Sequence, residues 1–144
     1  MLSFDFRNIG FNQKVVAKPF TIDLDSYLVK QGIQAIFFED IDGDICRFVI
    51  CGRSHYGNKG TDILSSGIAV LGINTINAIR ELTNAEADCI CTEKKGVPYM
   101  ECRIYRYSSR YEKGEVLILL KALKLGIESI QDKYGKNYVT IIEV

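Results

Sequence analysis

An uncharged, apolar stretch from Ile63 to Ile79 constrains the fold of this chain more than any other feature. At helical spacing it forms one stripe, made of Leu64, Ile68, Leu71, Thr75 and Ile79. Further apolar residues fall on most other faces of the same helix: Ile63, Val70, Ile73 and Ile76. A helix that is apolar nearly all round must be covered on more than one side. We therefore expect a homodimer, with a second copy of the chain over the face that one sheet leaves open.

The same stretch does not predict a membrane span, because it is short and is interrupted by serine and asparagine side chains. The start of the chain, Met1 to Asp5, carries an acid where a secretory signal needs basic residues. Five cysteines, an odd number, lie among apolar neighbours and favour a reducing compartment. We expect a cytoplasmic protein with no membrane contact.

Around this helix the pattern predicts strands and one more helix. A β-hairpin joins Ile33–Phe38 to Cys46–Cys51 through the turn Asp42-Gly43. The later elements are two strands, Asp88–Thr92 and Val97–Tyr107, a helix from about Lys113 to Tyr134 capped by Gly135, and a last strand, Tyr138–Val144. The order β-β-α-β-β-α-β predicts an α+β fold, with two helices on a mostly antiparallel sheet.

Residues 1–31 differ from the rest and are expected to form an N-terminal extension to a main domain of residues 32–144. Leu2, Phe4 and Phe6 alternate with polar residues as in a strand, and Asp23–Gln31 predicts two helical turns ending at Gly32. The extension has two possible roles, an added edge strand or a segment that occupies a groove in cis. The edge strand is the interpretation we favour, because it needs only an open sheet edge.

The loop Gly52–Gly60 precedes the long helix, for which Thr61-Asp62 provides the N-cap. Ser65 then stands at the third helical position, where free amides and the helix dipole create a positive potential. Such a site suits an anion or a nucleophile, and equally an ordinary helix start. The candidate binding residues are Gly52, Gly57, Gly60, Thr61 and Ser66.

Gly52-Arg53-Ser54 followed by Gly60-Thr61-Asp62-Ile63-Leu64-Ser65-Ser66-Gly67 resembles the signature of the ribosomal-processing cysteine protease family. The family pattern is Gly-His-Ala, a short glycine-containing loop, then Gly-x-Asp-Ile-Val-Cys-Ala-(Ala or Gly). The resemblance covers about Ile33–Val144. It implies a small α+β homodimer, bacterial or phage-related, that removes a short N-terminal extension from a large-subunit ribosomal protein or acts on a capsid-type protein.

Two departures affect the catalytic positions that this resemblance implies. The family's cysteine falls on Ser65 and its histidine on Arg53. An alcohol needs a positioned base, and arginine stays protonated at any relevant pH. We expect a pseudoenzyme that binds a peptide of a ribosomal or phage protein, or an anion held by the Arg53 guanidinium, at the old active site.

Two alternatives stay open. His55 or Lys59 could act as the base for Ser65, with Asp62 as orienter, giving an active hydrolase. The second alternative is an RNA-contacting, ribosome-associated protein, because Arg103, Arg106 and Arg110 alternate with aromatic residues in a composition that suits RNA. Against it, 18 basic and 18 acidic side chains leave no net charge to attract RNA.

No cofactor is expected. Cys89 and Cys91 share one face of a strand and could begin a metal site, but the sequence has no CxxC and only one histidine, so buried thiols are the simpler interpretation.

Overall fold

The structure, a computed structural model, describes residues 14–19, 22–57 and 62–144. Its helices and strands, in chain order, are α1 (Leu24–Leu28), β1 (Ile33–Glu39), β2 (Ile45–Cys51), α2 (Ile63–Leu82), β3 (Glu86–Lys94), β4 (Val97–Arg106), α3 (Arg110–Tyr134) and β5 (Val139–Glu143). From β1 onward the order is the predicted β-β-α-β-β-α-β. The α+β fold is confirmed.

The five strands form one sheet in the order β3-β4-β2-β1-β5. Neighbouring strands are antiparallel except β1 and β5, which are parallel. The β1–β2 hairpin turns where it was predicted to turn: Gly43 has a φ of 84°, and the Asp40 carboxylate accepts hydrogen bonds from the amides of Asp42 and Asp44. Glycine tolerates this left-handed backbone without steric penalty.

Helices α2 and α3 pack on one face of the sheet and form the main core with it. Their buried apolar side chains are Leu64, Ile68, Ile76 and Ile79 from α2 and Val116, Leu120, Leu123 and Ile127 from α3. The sheet contributes alternate residues, including Phe37, Phe48, Ile50, Met100 and Ile104. Helix α3 begins three residues earlier than predicted because Ser109 caps it by accepting from the Glu112 amide.

The opposite face of the sheet has its own apolar cluster beneath α1. Leu28 packs there with residues that alternate with those of the main core, among them Ile36, Phe38, Val49 and Tyr99. Helix α1 spans five residues, shorter than the predicted Asp23–Gln31. The helix ends at its C-cap Val29, and the chain then passes through Gly32, whose φ is 85° and where a Cβ would lie 2.9 Å from the Asn137 carbonyl oxygen.

Residues 14–18 cross the end of the sheet. The Val15 amide donates to the Tyr105 carbonyl, and the Ile41 amide donates to the Val16 carbonyl. Within the described part of the extension these contacts are isolated bridges, and the edge strand stays a prediction. Leu2, Phe4 and Phe6, on which that expectation depends, lie outside the described residues.

Helix α2 is longer and more apolar than we expected when we excluded a membrane span from its sequence. Its 20 residues and a mean hydropathy of 1.3 satisfy the length and composition needed to cross a membrane. A single such helix is weak support for a membrane, because the core helix of a soluble protein meets the same criteria. Here one face of α2 packs on the sheet, and about a third of the helix's most apolar 18-residue segment is buried inside the protein.

Candidate functional site

A groove of about 640 Å³ opens where the start of α2, the end of β2 and the β3–β4 hairpin meet. Its floor is apolar and includes Ile33, Ile50, Ile68 and Met100. One wall is the β3–β4 hairpin, which contributes residues 91–93, 96 and 98–100. The groove is large enough for several side chains of a peptide and lies at one end of the sheet.

Seven residues predicted from sequence as candidate site residues line this groove: Gly52, Arg53, His55, Gly57, Asp62, Ser65 and Ser66. They come together because β2 ends at residue 51 and α2 begins at residue 63, so the connecting loop and the helix start share one end of the sheet. Lys59, Gly60 and Thr61 lie outside the described residues, and their roles stay predictions.

Gly52 has a structural reason to be glycine. Its φ is 92°, and a Cβ at this position would lie 2.5 Å from the carbonyl oxygen of Gly32. The Gly52 amide donates to the Pro98 carbonyl at 3.0 Å, which ties the loop to the hairpin wall. Close backbone approach, rather than ligand contact, accounts for this glycine.

Asp62 caps α2 as predicted. Its backbone is extended, its Oδ1 accepts from the Ser65 amide at 3.0 Å, and its carbonyl accepts the first helical hydrogen bond from the Ser66 amide. The side chain is buried, with an exposed fraction of 8%. The carboxylate therefore fills the positive end of the helix dipole with a charge that belongs to the chain itself.

Ser54, Asp62 and Ser65 form a closed hydrogen-bonded cluster. The Ser54 hydroxyl donates to the Asp62 carboxylate at 2.6 Å, and the Ser65 hydroxyl donates to Asp62 Oδ2 at 2.8 Å. The Ser54 amide donates to Ser65 Oγ at 2.9 Å. The proton of Ser65 and one of its lone pairs are therefore both engaged.

The cluster sets the protonation of Asp62. Burial raises the pKa of its carboxyl, but the hydrogen bonds from Ser54 and Ser65 outweigh burial and hold the pKa below its ordinary value. A carboxylate that resists protonation is a poor general base, because it takes up a proton weakly at neutral pH.

Arg53, at the family's histidine position, reaches across the groove rather than toward Ser65. Its Nη1 donates to the Gly96 carbonyl at 3.2 Å, and its Nη2 lies 3.8 Å from Glu93 Oε1. The side chain is about one-third exposed. The guanidinium thus joins the loop to the hairpin wall, with part of its charge compensated by Glu93.

His55 lines the groove in an unusual backbone conformation. Its φ is 58°, in the left-handed region that non-glycine residues adopt rarely. Among the described residues Ser65 is hydrogen-bonded to Asp62 and Ser54, and Asp62 is hydrogen-bonded to the serines rather than orienting His55. The next residue anchors the loop: the Tyr56 ring makes edge-on contacts with Tyr134 and Tyr138, each at 5.3 Å between centroids.

Ser54 is the residue of the site that sequence reasoning missed. It stands in the matched motif where the family pattern has alanine, so the added hydroxyl was a signal available in the sequence. Its exposed fraction is 1%, and all its hydrogen bonds remain within the cluster or the loop. The hairpin residues Glu93 and Gly96 carried no comparable signal, because their part in the groove depends on tertiary packing.

The arginine-rich segment lies away from the groove. Arg103 stacks over the Tyr105 ring at 4.9 Å, and Arg106 lies 4.0 Å from Glu86. The Tyr105 hydroxyl donates to Asp88 at 2.5 Å. Acidic side chains of β3 therefore accompany this surface. Within the described residues, no three His, Cys, Asp or Glu side chains are arranged to hold a metal ion.

Solved structures of two other proteins share this fold. The ribosomal processing protease Prp from S. aureus, in complex with a covalently linked product peptide, has a TM-score of 0.63 at 17% identity, over 80% of this chain and 100% of that chain. The same protease with a substrate peptide has a TM-score of 0.59 at 16% identity, with the same coverage. SMU.848 from Streptococcus mutans has a TM-score of 0.65 at 24% identity, over 79% and 95% of the two chains.

Sequence comparison is more specific than fold. No curated protein matches the chain. The sequence profile of the family described as cysteine protease Prp matches residues 33–139, well over half of the chain and the whole groove described above. The chain therefore belongs to the cysteine protease Prp family.

Proposed function

We propose that this member of the family binds an extended peptide in the groove without cleaving it. The observation that carries the proposal is the hydrogen-bonded cluster at the family's nucleophile position, in which the Ser65 hydroxyl donates to Asp62 and accepts from the Ser54 amide. A serine in this arrangement stabilises the start of α2.

A serine nucleophile needs a base that takes its proton as it attacks. Asp62 accepts a hydrogen bond from Ser65, but its lowered pKa makes it a weak base. Arg53 stays protonated and donates to the Gly96 carbonyl. The geometry of the described residues thus supports the absence of the family's reaction.

The groove suits a peptide better than a free anion. The buried Asp62 carboxylate already occupies the N-terminus of α2, so an incoming anion would meet a like charge there. The positive charge of the Arg53 guanidinium is partly compensated by the Glu93 carboxylate, 3.8 Å away. The apolar floor formed by Ile50, Ile68 and Met100 favours apolar side chains of an extended segment.

The related S. aureus protease was solved with substrate and product peptides, which supports a peptide as the ligand class here. By the resemblance, that peptide is the N-terminal extension of a large-subunit ribosomal protein, or a segment of a phage capsid-type protein. Either ligand is consistent with a cytoplasmic protein, and so are the five cysteines, all free in the structure.

A homodimer is part of the proposal. On α2, Ile63, Val70 and Ile73 have exposed fractions of 75%, 65% and 44%, and on α3, Ile118 and Leu125 have 70% and 64%. Two helices packed side by side that each expose large apolar residues are typical of a surface covered by a partner. A second copy fits this surface, since the same helices would face each other across a two-fold axis.

Binding is tested by fluorescence anisotropy with a labelled peptide that spans the N-terminal extension of the ribosomal protein. Ala69 lines the groove, so Ala69→Trp should fill it and abolish binding. Val29→Trp adds similar bulk beside α1, at a side chain that is 80% exposed and lies outside both α2 and α3, and should leave the affinity unchanged. Equal affinities for the two variants would show that the groove is not the peptide site.

A further inference from the structure

Two cysteines outside the groove lie in contact across the edge hairpin. Cys89 of β3 and Cys102 of β4 are directly opposite in the antiparallel register, and their Sγ atoms are 2.9 Å apart. Directly opposite residues have Cα atoms about 4.5–5.5 Å apart. A disulfide spans Cα separations of about 4.4–6.8 Å. The two thiols can therefore be joined without moving the backbone.

The two thiols differ in environment. Cys102 is fully buried in the main core, whereas Cys89 is half-buried and faces Arg80 near the end of α2. A hydrogen bond from Cys102 lowers the pKa of Cys89 to about 7; burial opposes this, and Arg80 assists it. The same hydrogen bond raises the pKa of Cys102, which keeps its proton. Of the two thiols, Cys89 is therefore the one that ionises more readily and can act as the first nucleophile.

The other buried thiols contrast with this pair. Burial, with Asp40 as a smaller cause, raises the pKa of Cys46 to about 11, and burial raises that of Cys51 to about 11. Neither is a nucleophile at neutral pH. Reactivity among the buried cysteines is therefore expected at Cys89 alone.

We infer that Cys89 and Cys102 form a redox-active pair that closes into a cross-strand disulfide when a low-molecular-weight disulfide, RSSR, is the oxidant. The Cys89 thiolate attacks one sulfur of RSSR, forming a mixed disulfide and releasing RS⁻. Cys102 then attacks the Cys89 sulfur, forming the Cys89–Cys102 bond, and its proton passes to the RS⁻ that leaves. In sum, two protein thiols lose two electrons and two protons, and RSSR becomes two RSH. The inference does not depend on the proposed function.

The test uses the full chain, reduced, freed of reductant and incubated with glutathione disulfide at neutral pH. Remaining thiols are alkylated, and the digested chain is analysed by mass spectrometry. We expect a peptide pair linked through Cys89 and Cys102. In Cys102→Ser the reaction should stop at a glutathione adduct on Cys89, and Arg80→Gln should slow the first step several-fold because less thiolate is present.

Cys91→Ser is the matched control, since Cys91 lies two residues along β3 on the same face and is exposed. It should give the same linked pair as the unmodified sequence. A native chain in which glutathione disulfide modifies Cys91 alone, or in which the Cys89–Cys102 link forms only after unfolding in urea, would overturn the inference. Cys102→Ala replaces Cys102→Ser if circular dichroism shows that the serine variant is unfolded.

Discussion

Replacing Asp62 with alanine tests the interpretation that the cluster of Ser54, Asp62 and Ser65 stabilises the start of α2. Asp62→Ala removes the acceptor of three hydrogen bonds at once: the Ser65 amide at 3.0 Å, the Ser65 hydroxyl at 2.8 Å and the Ser54 hydroxyl at 2.6 Å. The Ser54 side chain is fully buried, so its hydroxyl loses its partner where water cannot replace it.

The expected magnitude follows from these three contacts. Loss of the N-cap destabilises by about 1 kcal/mol. Loss of the buried hydrogen bond from Ser54 to a charged acceptor adds about 1.5 kcal/mol, and the half-buried Ser65 hydroxyl adds about 0.5 kcal/mol. We expect the free energy of unfolding to fall by about 3 kcal/mol in all.

The assay is urea unfolding followed by far-ultraviolet circular dichroism, because the chain has no tryptophan. Chain concentration is held fixed, since a dimer gains stability with concentration. Asp132→Ala is the matched control: Asp132 is exposed on α3, and its loss should change the free energy of unfolding by less than about 0.5 kcal/mol.

The pH dependence has a definite sign. The pKa of Asp62 in the folded chain lies below its ordinary value of 3.8, so its contribution is complete above that value and is lost as the pH falls through the folded pKa. The difference in free energy of unfolding between the native chain and Asp62→Ala should therefore become smaller below about pH 3.8. A difference in free energy of unfolding of less than about 1 kcal/mol at neutral pH would refute the interpretation that the cluster stabilises the start of α2.

Three further predictions concern stability and assembly. Gly52→Ala places a Cβ 2.5 Å from a backbone carbonyl oxygen at a φ of 92° and should destabilise the protein by about 2–3 kcal/mol. Gly67→Ala lies in an open part of α2 and should stabilise the protein by about 0.5–1 kcal/mol, and urea unfolding measures both changes. Lys113 lies 3.3 Å from the buried Asp40 carboxylate, so Lys113→Met should destabilise by about 2 kcal/mol in the same assay. Val70→Asp should convert a dimer to a monomer in sedimentation, and an unchanged mass would exclude α2 from the interface.

The sequence predicted most of the fold because its local signals agree with the tertiary packing. The Asp42-Gly43 turn, the Asp62 cap and the Gly135 C-cap all stand where the structure has them. The length of α1 was overestimated: the helix ends at Leu28, and Gly32, the predicted stop, stands three residues after the Val29 C-cap.

The site was predicted in part. The loop and the helix start are contiguous in sequence, so a motif could place Arg53 and Ser65 together. The hairpin wall joins the groove through the pairing of β2 with β4, about 50 residues along the chain, and sequence spacing does not report that pairing. The direction in which Arg53 points, toward Gly96 rather than toward Ser65, likewise depends on the folded hairpin.

The central claim is that the chain binds a peptide without cleaving it. It is tested most directly by mass spectrometry of a peptide that spans the N-terminal extension of the ribosomal protein, after incubation with the purified chain. The native chain should leave the peptide intact, while a chain carrying Arg53→His, Ser54→Ala and Ser65→Cys, which removes the cluster and restores the family's residues, should release the cleaved product. Cleavage by the native chain that disappears in Ser65→Ala would contradict the account and identify Ser65 as a working nucleophile.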